Sequence, residues 1–314
     1  MPSSVPVQEL SDLITGLVTP FDEELNVDHA ALAENARALS AHDVGAFFVC
    51  SNVGEYHSLS HEERVAVTET GVDALPSDTT VLAGAGGSTK TVIELGTAYE
   101  SLDVDVLLVM PPDHTYVHER GLLDYYRKIG DNVALPLVPY LRGFDPSPGF
   151  VADLTTLDSV VGIKWALRDL PKFATAVDRG ADDIVWINGL GEQYAIAFHS
   201  EGASGMASGI GNFDPSVGRA LYDALDRGAL ERAREIRNAT IPFMRFREET
   251  GAANTLPAAN SIPVVKAGLE FAGLTGGRVR EPLMELTDGE HERAGRLYRE
   301  LQSLVGDGPV SDDQ

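Results

Sequence analysis

Val160-Val161-Gly162-Ile163-Lys164-Trp165 is an apolar, β-branched run that closes on a lysine. Valine and isoleucine are stiff at χ1 and pack well on a pleated surface, so the run reads as a strand. Its apolar character is continuous, the pattern of a strand covered on both faces. Working outward, seven more runs of this kind lie at 14–18, 44–49, 80–83, 104–110, 133–138, 183–187 and 205–208. Helix-period segments fill the gaps, at 29–40, 64–74, 90–102, 115–128, 148–157, 170–179 and 192–201. Asp28 is placed to cap the first, and Ser60-His61-Glu62-Glu63 has the form of a capping box before the second. Eight β-α units in about 210 residues predict an α/β protein, a closed (β/α)8 TIM barrel. An open doubly wound sheet is the alternative. After Asn212 the strand signal stops, and 215–226, 229–249, 261–272 and 289–304 read as helices. The expected organisation is a barrel catalytic domain over 1–213, a C-terminal helical extension over 214–305 and a frayed tail over 306–314.

Composition narrows the class. The 314 residues are 43% hydrophobic, enough for a large core. No apolar stretch approaches the ~18 residues that span a bilayer, and residues 1–10 show neither a basic nor an apolar leader region. Cys50 is the single cysteine, so no intramolecular disulfide forms and a cysteine-based metal site is not expected. The expected location is the cytoplasm. There are 48 acidic and 24 basic residues, a net charge of −24, and only five of the basic residues are lysines. Nucleic acid is a poor partner for such a surface. Dispersed acid with little lysine suits a cytoplasm of very high salt, and the expected host is a halophile.

In a barrel of this kind chemistry sits at the C-terminal ends of the strands. That rule nominates Asn52, Pro111, Tyr140, Lys164, Asn188 and Ser208. Lys164 and Tyr140 fall on neighbouring strands. A lysine taken out of water loses proton affinity, and its free amine can attack a carbonyl to form a Schiff base. A phenol beside it can move protons. The competing reading is a lysine whose alkyl stem carries its charge back to solvent.

The ordered motifs resemble the dihydrodipicolinate synthase and N-acetylneuraminate lyase superfamily, class I aldolases and dehydratases on a (β/α)8 barrel. The resemblance runs from Gly16 to about Gly276. Gly16-Leu17-Val18-Thr19-Pro20-Phe21 resembles its first strand, and Gly54-Glu55-Tyr56-His57-Ser58-Leu59-Ser60 its Gly-Glu motif. Pro136-Leu137-Val138-Pro139-Tyr140 resembles the strand-five tyrosine and Gly162-Ile163-Lys164 the Schiff-base lysine, with Asp169 as the acidic residue five positions on. Asn188-Gly189-Leu190-Gly191-Glu192 resembles the strand-seven glycine turn, and the segment from Gly205 to Asn212 the strand-eight segment. The resemblance implies that Lys164 forms an imine with a 2-oxo acid and that Tyr140 relays protons. It also implies that the substrate lies against Ser51, Asn52, Val53, Gly54, Arg142, Gly189 and Ser208, its carboxylate held by backbone amides. It implies a homotetramer, a dimer of dimers, and calls for no metal and no cofactor.

Departures from the family pattern shape the functional reading. Ser51-Asn52-Val53-Gly54-Glu55 stands where the family usually has Gly-Thr-Thr-Gly-Glu or Gly-Ser-Thr-Gly-Glu, so Val53 replaces the hydroxyl of the relay. No tyrosine follows strand four in the expected place, where Asp113 and His114 stand, and Asp145 occupies the usual arginine position. These changes point away from the lysine-biosynthetic synthase. Arg142, two residues after Tyr140, most resembles the sugar-acid dehydratase branch, where it would bind the distal hydroxyls or carboxylate of the substrate, with Arg168 a second candidate for the same task. The expected activity is dehydration of a 2-keto-3-deoxy sugar acid, for example 2-keto-3-deoxy-pentonate to 2-oxoglutarate semialdehyde. Aldol cleavage to pyruvate and an aldehyde is the alternative, and a non-catalytic paralogue that binds a 2-oxo acid is the reading from another class. His57, His61, His114, His118 and His199 show no metal-ligand spacing. The stretch from Gly84 to Ser88 reads as a barrel loop in preference to a phosphate loop, Cys50 as a small core residue, and Glu55 as a structural hydrogen-bond acceptor.

Overall fold

A computed structural model describes residues 7–112 and 114–305. Asp113 and the tail over 306–314 lie outside the described residues. Eight parallel strands close into a barrel in sequence order: β1 (Leu13–Gly16), β2 (Ala46–Val49), β3 (Thr80–Ala85), β4 (Val106–Val109), β5 (Leu137–Leu141), β6 (Gly162–Trp165), β7 (Val185–Asn188) and β8 (Gly205–Ala207). The TIM barrel expected from the sequence is therefore present, and β8 pairs back onto β1. A short α1 (Val7–Leu10) precedes the barrel. Around it run α2 (His29–Leu39), α3 (His61–Ala74), α4 (Thr89–Glu100), α5 (Glu119–Gly130), α6 (Pro148–Thr155), α7 (Leu170–Arg179), α8 (Glu192–Ser200) and α9 (Pro215–Asp226). Then come α10 (Leu230–Glu248), α11 (Ser261–Phe271) and α12 (Asp288–Val305), the helical C-terminal part.

Local chemistry explains several boundaries. Asp28 caps α2 by accepting from the Ala31 amide, and Ser60 and Glu63 exchange both bonds of a capping box at α3. α5 starts four residues later than the periodicity predicts, because His118 takes an extended conformation and its Nδ1 accepts from the Arg120 amide, 3.1 Å away. β5 begins four residues later than read and runs through Pro139 to Leu141. Val133 closes α5 instead, its amide bonding the Ile129 carbonyl. The last three residues of the strand, from Pro139 to Leu141, were missed because Pro139 lacks the N–H a central strand normally uses.

Pleating places the site. Trp165 faces the helical layer, where its ring meets Phe173 edge-on at 5.4 Å and its indole N–H donates to the Leu167 carbonyl. Successive side chains of a strand alternate sides, so Lys164 turns into the barrel. The C-terminal helices share a core with the barrel: Leu13, Val18 and Met206 pack in one cluster with Phe213, Leu221, Phe243 and Val264. No helix among the described residues is long and apolar enough to cross a membrane.

Candidate active site

A cavity of about 910 Å³ opens at the C-terminal ends of the strands. Lys164 lines it and is 7% exposed. Tyr140 is its register partner on β5, and the ammonium nitrogen stands 4.3 Å from the Tyr140 ring centroid and 3.9 Å from that of Phe48. No carboxylate among the described residues pairs with it. Burial first, and the Arg142 guanidinium second, together bring the Lys164 pKa from the ordinary 10.5 down to about 7. The free amine is thus accessible near neutrality, as imine formation requires.

The structure brings most of the expected residues to this cavity: Ser51, Asn52, Val53, Tyr140, Arg142, Gly189 and Ser208 all line it. Gly54 does not; it sits behind the turn, its carbonyl accepting from the Thr19 hydroxyl. The amides of Glu55 and Tyr56 fold back onto the carbonyls of Asn52 and Ser51. The earlier amides of the turn, at Asn52 and Val53, have no partner among the described residues. Two residues without the freedom of glycine bound this turn in left-handed conformation, Cys50 at φ 51° and Glu55 at φ 54°. Val53 presses on β1, where a Cβ added to Gly16 would lie 2.5 Å from its Cγ1. Asn212 completes the rim, accepting from the Gly16 amide at 2.8 Å and donating to the Gly209 carbonyl.

Among the described residues no hydroxyl takes the place on Tyr140 that Val53 leaves empty. Instead Arg142 Nη1 donates to the phenol oxygen at 3.3 Å. Ser208 faces the cavity with its hydroxyl committed: it donates to Glu192 and accepts from the Gly211 amide at 2.7 Å. Asp145 points outward and pairs with Lys172, so the position of the family's arginine takes no part in the cavity. Arg168 lines the mouth and is already paired with Glu248 at 2.5 Å.

Other candidates resolve into structure. Glu55 and Lys266 form a buried ion pair at 2.6 Å, and Glu55 Oε2 also accepts from the Arg280 amide. Of the stretch read as a barrel loop, Gly84 and Ala85 end β3 and only Gly86 and Gly87 form the turn before the Ser88 cap of α4; the amide of Gly86 is taken by the Tyr56 hydroxyl at 2.6 Å and the carbonyl of Gly87 accepts from Tyr125. Burial pushes the Cys50 thiol up to about 12, far from a nucleophile's range. His114 and His118 spend Nδ1 on the amides of Tyr116 and Arg120, and among the described residues no metal-binding cluster forms.

Residue-type reasoning missed Arg247, Gln193, Met244 and Ser261, which also line the cavity and come from α8, α10 and α11. A signal for Arg247 existed. The buried positions of α10 run Ala233, Ile236, Thr240, Phe243, Met244 and Phe246. Arg247 lies four residues after Phe243 and three after Met244, on the same side of the helix.

Comparison with known proteins agrees with this geometry. The family model described as the dihydrodipicolinate synthetase family matches residues 9–300. A 4-hydroxy-tetrahydrodipicolinate synthase of Archaeoglobus fulgidus is 28% identical over 93% of this chain and 98% of that protein. A probable 5-dehydro-4-deoxyglucarate dehydratase of Rhizobium rhizogenes is 27% identical over 89% of this chain and 92% of that protein. The crystal structure of dihydrodipicolinate synthase from Oceanobacillus iheyensis superposes with a TM-score of 0.89 at 27% identity, covering 95% of this chain and 98% of that one. Barrel, motif order and near-full-length match converge: the chain belongs to the dihydrodipicolinate synthetase family of lyases.

Proposed function

We propose that this protein is a Schiff-base dehydratase acting on a 2-keto-3-deoxy sugar acid. The observation that carries the reading is Lys164, an unpaired, buried amine with its pKa brought to about 7, beside Tyr140 on the floor of a large cavity. Its amine attacks the C2 ketone, and the ketone oxygen leaves as water. The resulting iminium draws electrons from C3, so a C3 proton is lost to give an enamine. The enamine expels the C4 hydroxyl, which leaves as water after gaining a proton. With a pentonate, a proton shift from C5 and hydrolysis of the imine then release 2-oxoglutarate semialdehyde and free Lys164. Tyr140 is the proton carrier at C3 and C4, and Arg142 holds its oxygen in place. The unpartnered amides of Asn52 and Val53 receive the substrate carboxylate, with Ser51 beside them.

Three features favour this over the lysine-biosynthetic synthase: Val53 in place of the relay hydroxyl, Asp145 turned outward onto Lys172, and Arg142 on the tyrosine. Incubation with 2-keto-3-deoxy acids and product analysis tests it. The expected product from the pentonate is 2-oxoglutarate semialdehyde. Pyruvate as the sole keto product would instead establish aldol cleavage. Failure of borohydride to trap any 2-oxo acid on Lys164 would leave a binding protein. We further propose a cytoplasmic homotetramer, which sedimentation would report directly.

A further inference from the structure

Arg247 is a cation on the apolar stripe of α10, carried by that stripe into the mouth of the barrel. It stands so close to the turn after β8 that a Cβ added to Gly209 would be 2.4 Å from its Nη1. Its polar contacts are long: the Ser261 carbonyl and hydroxyl at 3.4 Å each, and the Met244 sulfur at 3.6 Å. None of the described carboxylates forms an ion pair with it. The acid facing it, Glu192, is already used by the Ser208 hydroxyl and the amides of Gly209 and Ile210. Arg142, three strands round the same rim, also has no carboxylate partner among the described residues and spends one N–H on the Tyr140 phenol. Arg168, at the same mouth, is paired. In a chain with 48 acidic and 24 basic residues, two unpaired guanidiniums in one cavity are not explained by a shortage of acid. Burial and the positive charge of Arg142 both disfavour the charged form of Arg247, although Glu192 opposes them. A half-buried cation in this position is relieved by an anion that enters with the ligand.

We propose that Arg247 and Arg142 form a site for an oxyanion at the far end of the substrate, so that the preferred 2-oxo acid carries a second anionic group. The inference rests on the Schiff-base reading, which fixes C1 and C2 at the turn after β2 and at Lys164. It ranks an acid with a terminal carboxylate or phosphate above a pentonate with a terminal hydroxymethyl group. A guanidinium presents planar, forked donors that suit either oxyanion.

Borohydride trapping with matched ligands tests the site without requiring turnover. The ligands are 2-oxoglutarate, 2-oxopentanoate, in which a methyl replaces the far carboxylate, and 2-oxo-4-phosphonobutanoate. Pyruvate serves as the common control. Wild-type protein is expected to half-saturate with one of the dianions at a concentration roughly tenfold or more below that for 2-oxopentanoate. The tighter of the two identifies carboxylate or phosphate as the natural end group. Arg247→Gln is expected to bring the ratio to within about threefold, and Arg247→Lys to keep part of it. The ratio is taken within each variant, so loss of folded protein does not move it. Pyruvate trapping with no dianion preference, or a preference that survives Arg247→Gln, overturns the proposal and leaves the imine reading intact. If not even pyruvate is trapped, the imine reading falls. Calorimetric titration of the same ligands then decides the anion site, with the same ratios for and against.

Discussion

Taking an ammonium out of water is costly unless a carboxylate faces it, and no described carboxylate faces Lys164. Between about pH 7 and 10.5 the unfolded chain keeps a proton on this amine that the folded chain has released. Stability therefore rises with pH across that window, and the penalty is felt in full below about pH 7. Lys164→Met is expected to raise the melting temperature at pH 6, a gain of roughly 1–2 kcal/mol, while abolishing borohydride trapping. A loss of stability would mean that the amine has a partner in solution. The rate of imine trapping is expected to climb with pH and level off above an inflection near 7. Arg142→Gln, which removes a nearby positive charge, is expected to move that inflection upward; an unchanged or lower inflection would show that burial acts alone. Lys164 and Tyr140 were legible because a polar residue on an apolar strand is conspicuous in one dimension. Arg247 was harder to see, since its one signal, a place on the buried stripe of α10, is masked by the charged neighbours Arg245, Glu248 and Glu249.

At the level of elements, the turn after β2 is the strained part of the site. Left-handed backbone at a residue with a side chain costs roughly 1–2 kcal/mol, and both Cys50 and Glu55 adopt it. Glu55 is held there from the C-terminal part of the chain: Lys266 of α11 pairs with it and donates to the Arg278 carbonyl, and the Arg280 amide binds its second oxygen. Arg280 adds a forked pair to Glu63 at 2.7 and 2.8 Å and bonds the carbonyls of Leu25 and Ser58. Breaking a buried ion pair at one end strands the other charge, at about 3–5 kcal/mol. Lys266→Met is expected to lose that much in denaturant unfolding while pyruvate is still trapped at Lys164. Adding Glu55→Gln should restore a good part of the loss. A single variant as stable as wild type would mean that the pair is not closed in solution. Capping signals made the starts of α2 and α3 readable. The tie between α11 and the β2 turn was not, because its partners lie 211 positions apart in sequence and no local pattern links them.

For the whole molecule, a charge of −24 means that acidic surface groups repel one another unless ions screen them. The screening length falls from ~8 Å at 0.15 M to ~3 Å at 1 M salt. The melting temperature is therefore expected to rise steadily from 0.1 M to 2 M potassium chloride; a flat or falling profile would point to an ordinary acidic enzyme and against a halophilic host. The barrel itself was written into the sequence. Eight continuous apolar runs separated by helix-period segments can bury both faces of every strand only in a closed or doubly covered parallel sheet. Alternation along a strand then fixed which of Lys164 and Trp165 faces inward once one of them was placed. The makeup of the cavity was decided by tertiary structure alone. Its walls come from strands and helices far apart in the chain, so the proximity of Arg247 to the β8 turn, and the pairing state of each arginine, depend on how α10 and α11 pack over the rim. Local propensity fixes which elements form, whereas long-range packing sets which charges share a cavity, and here that decides what the lysine is offered.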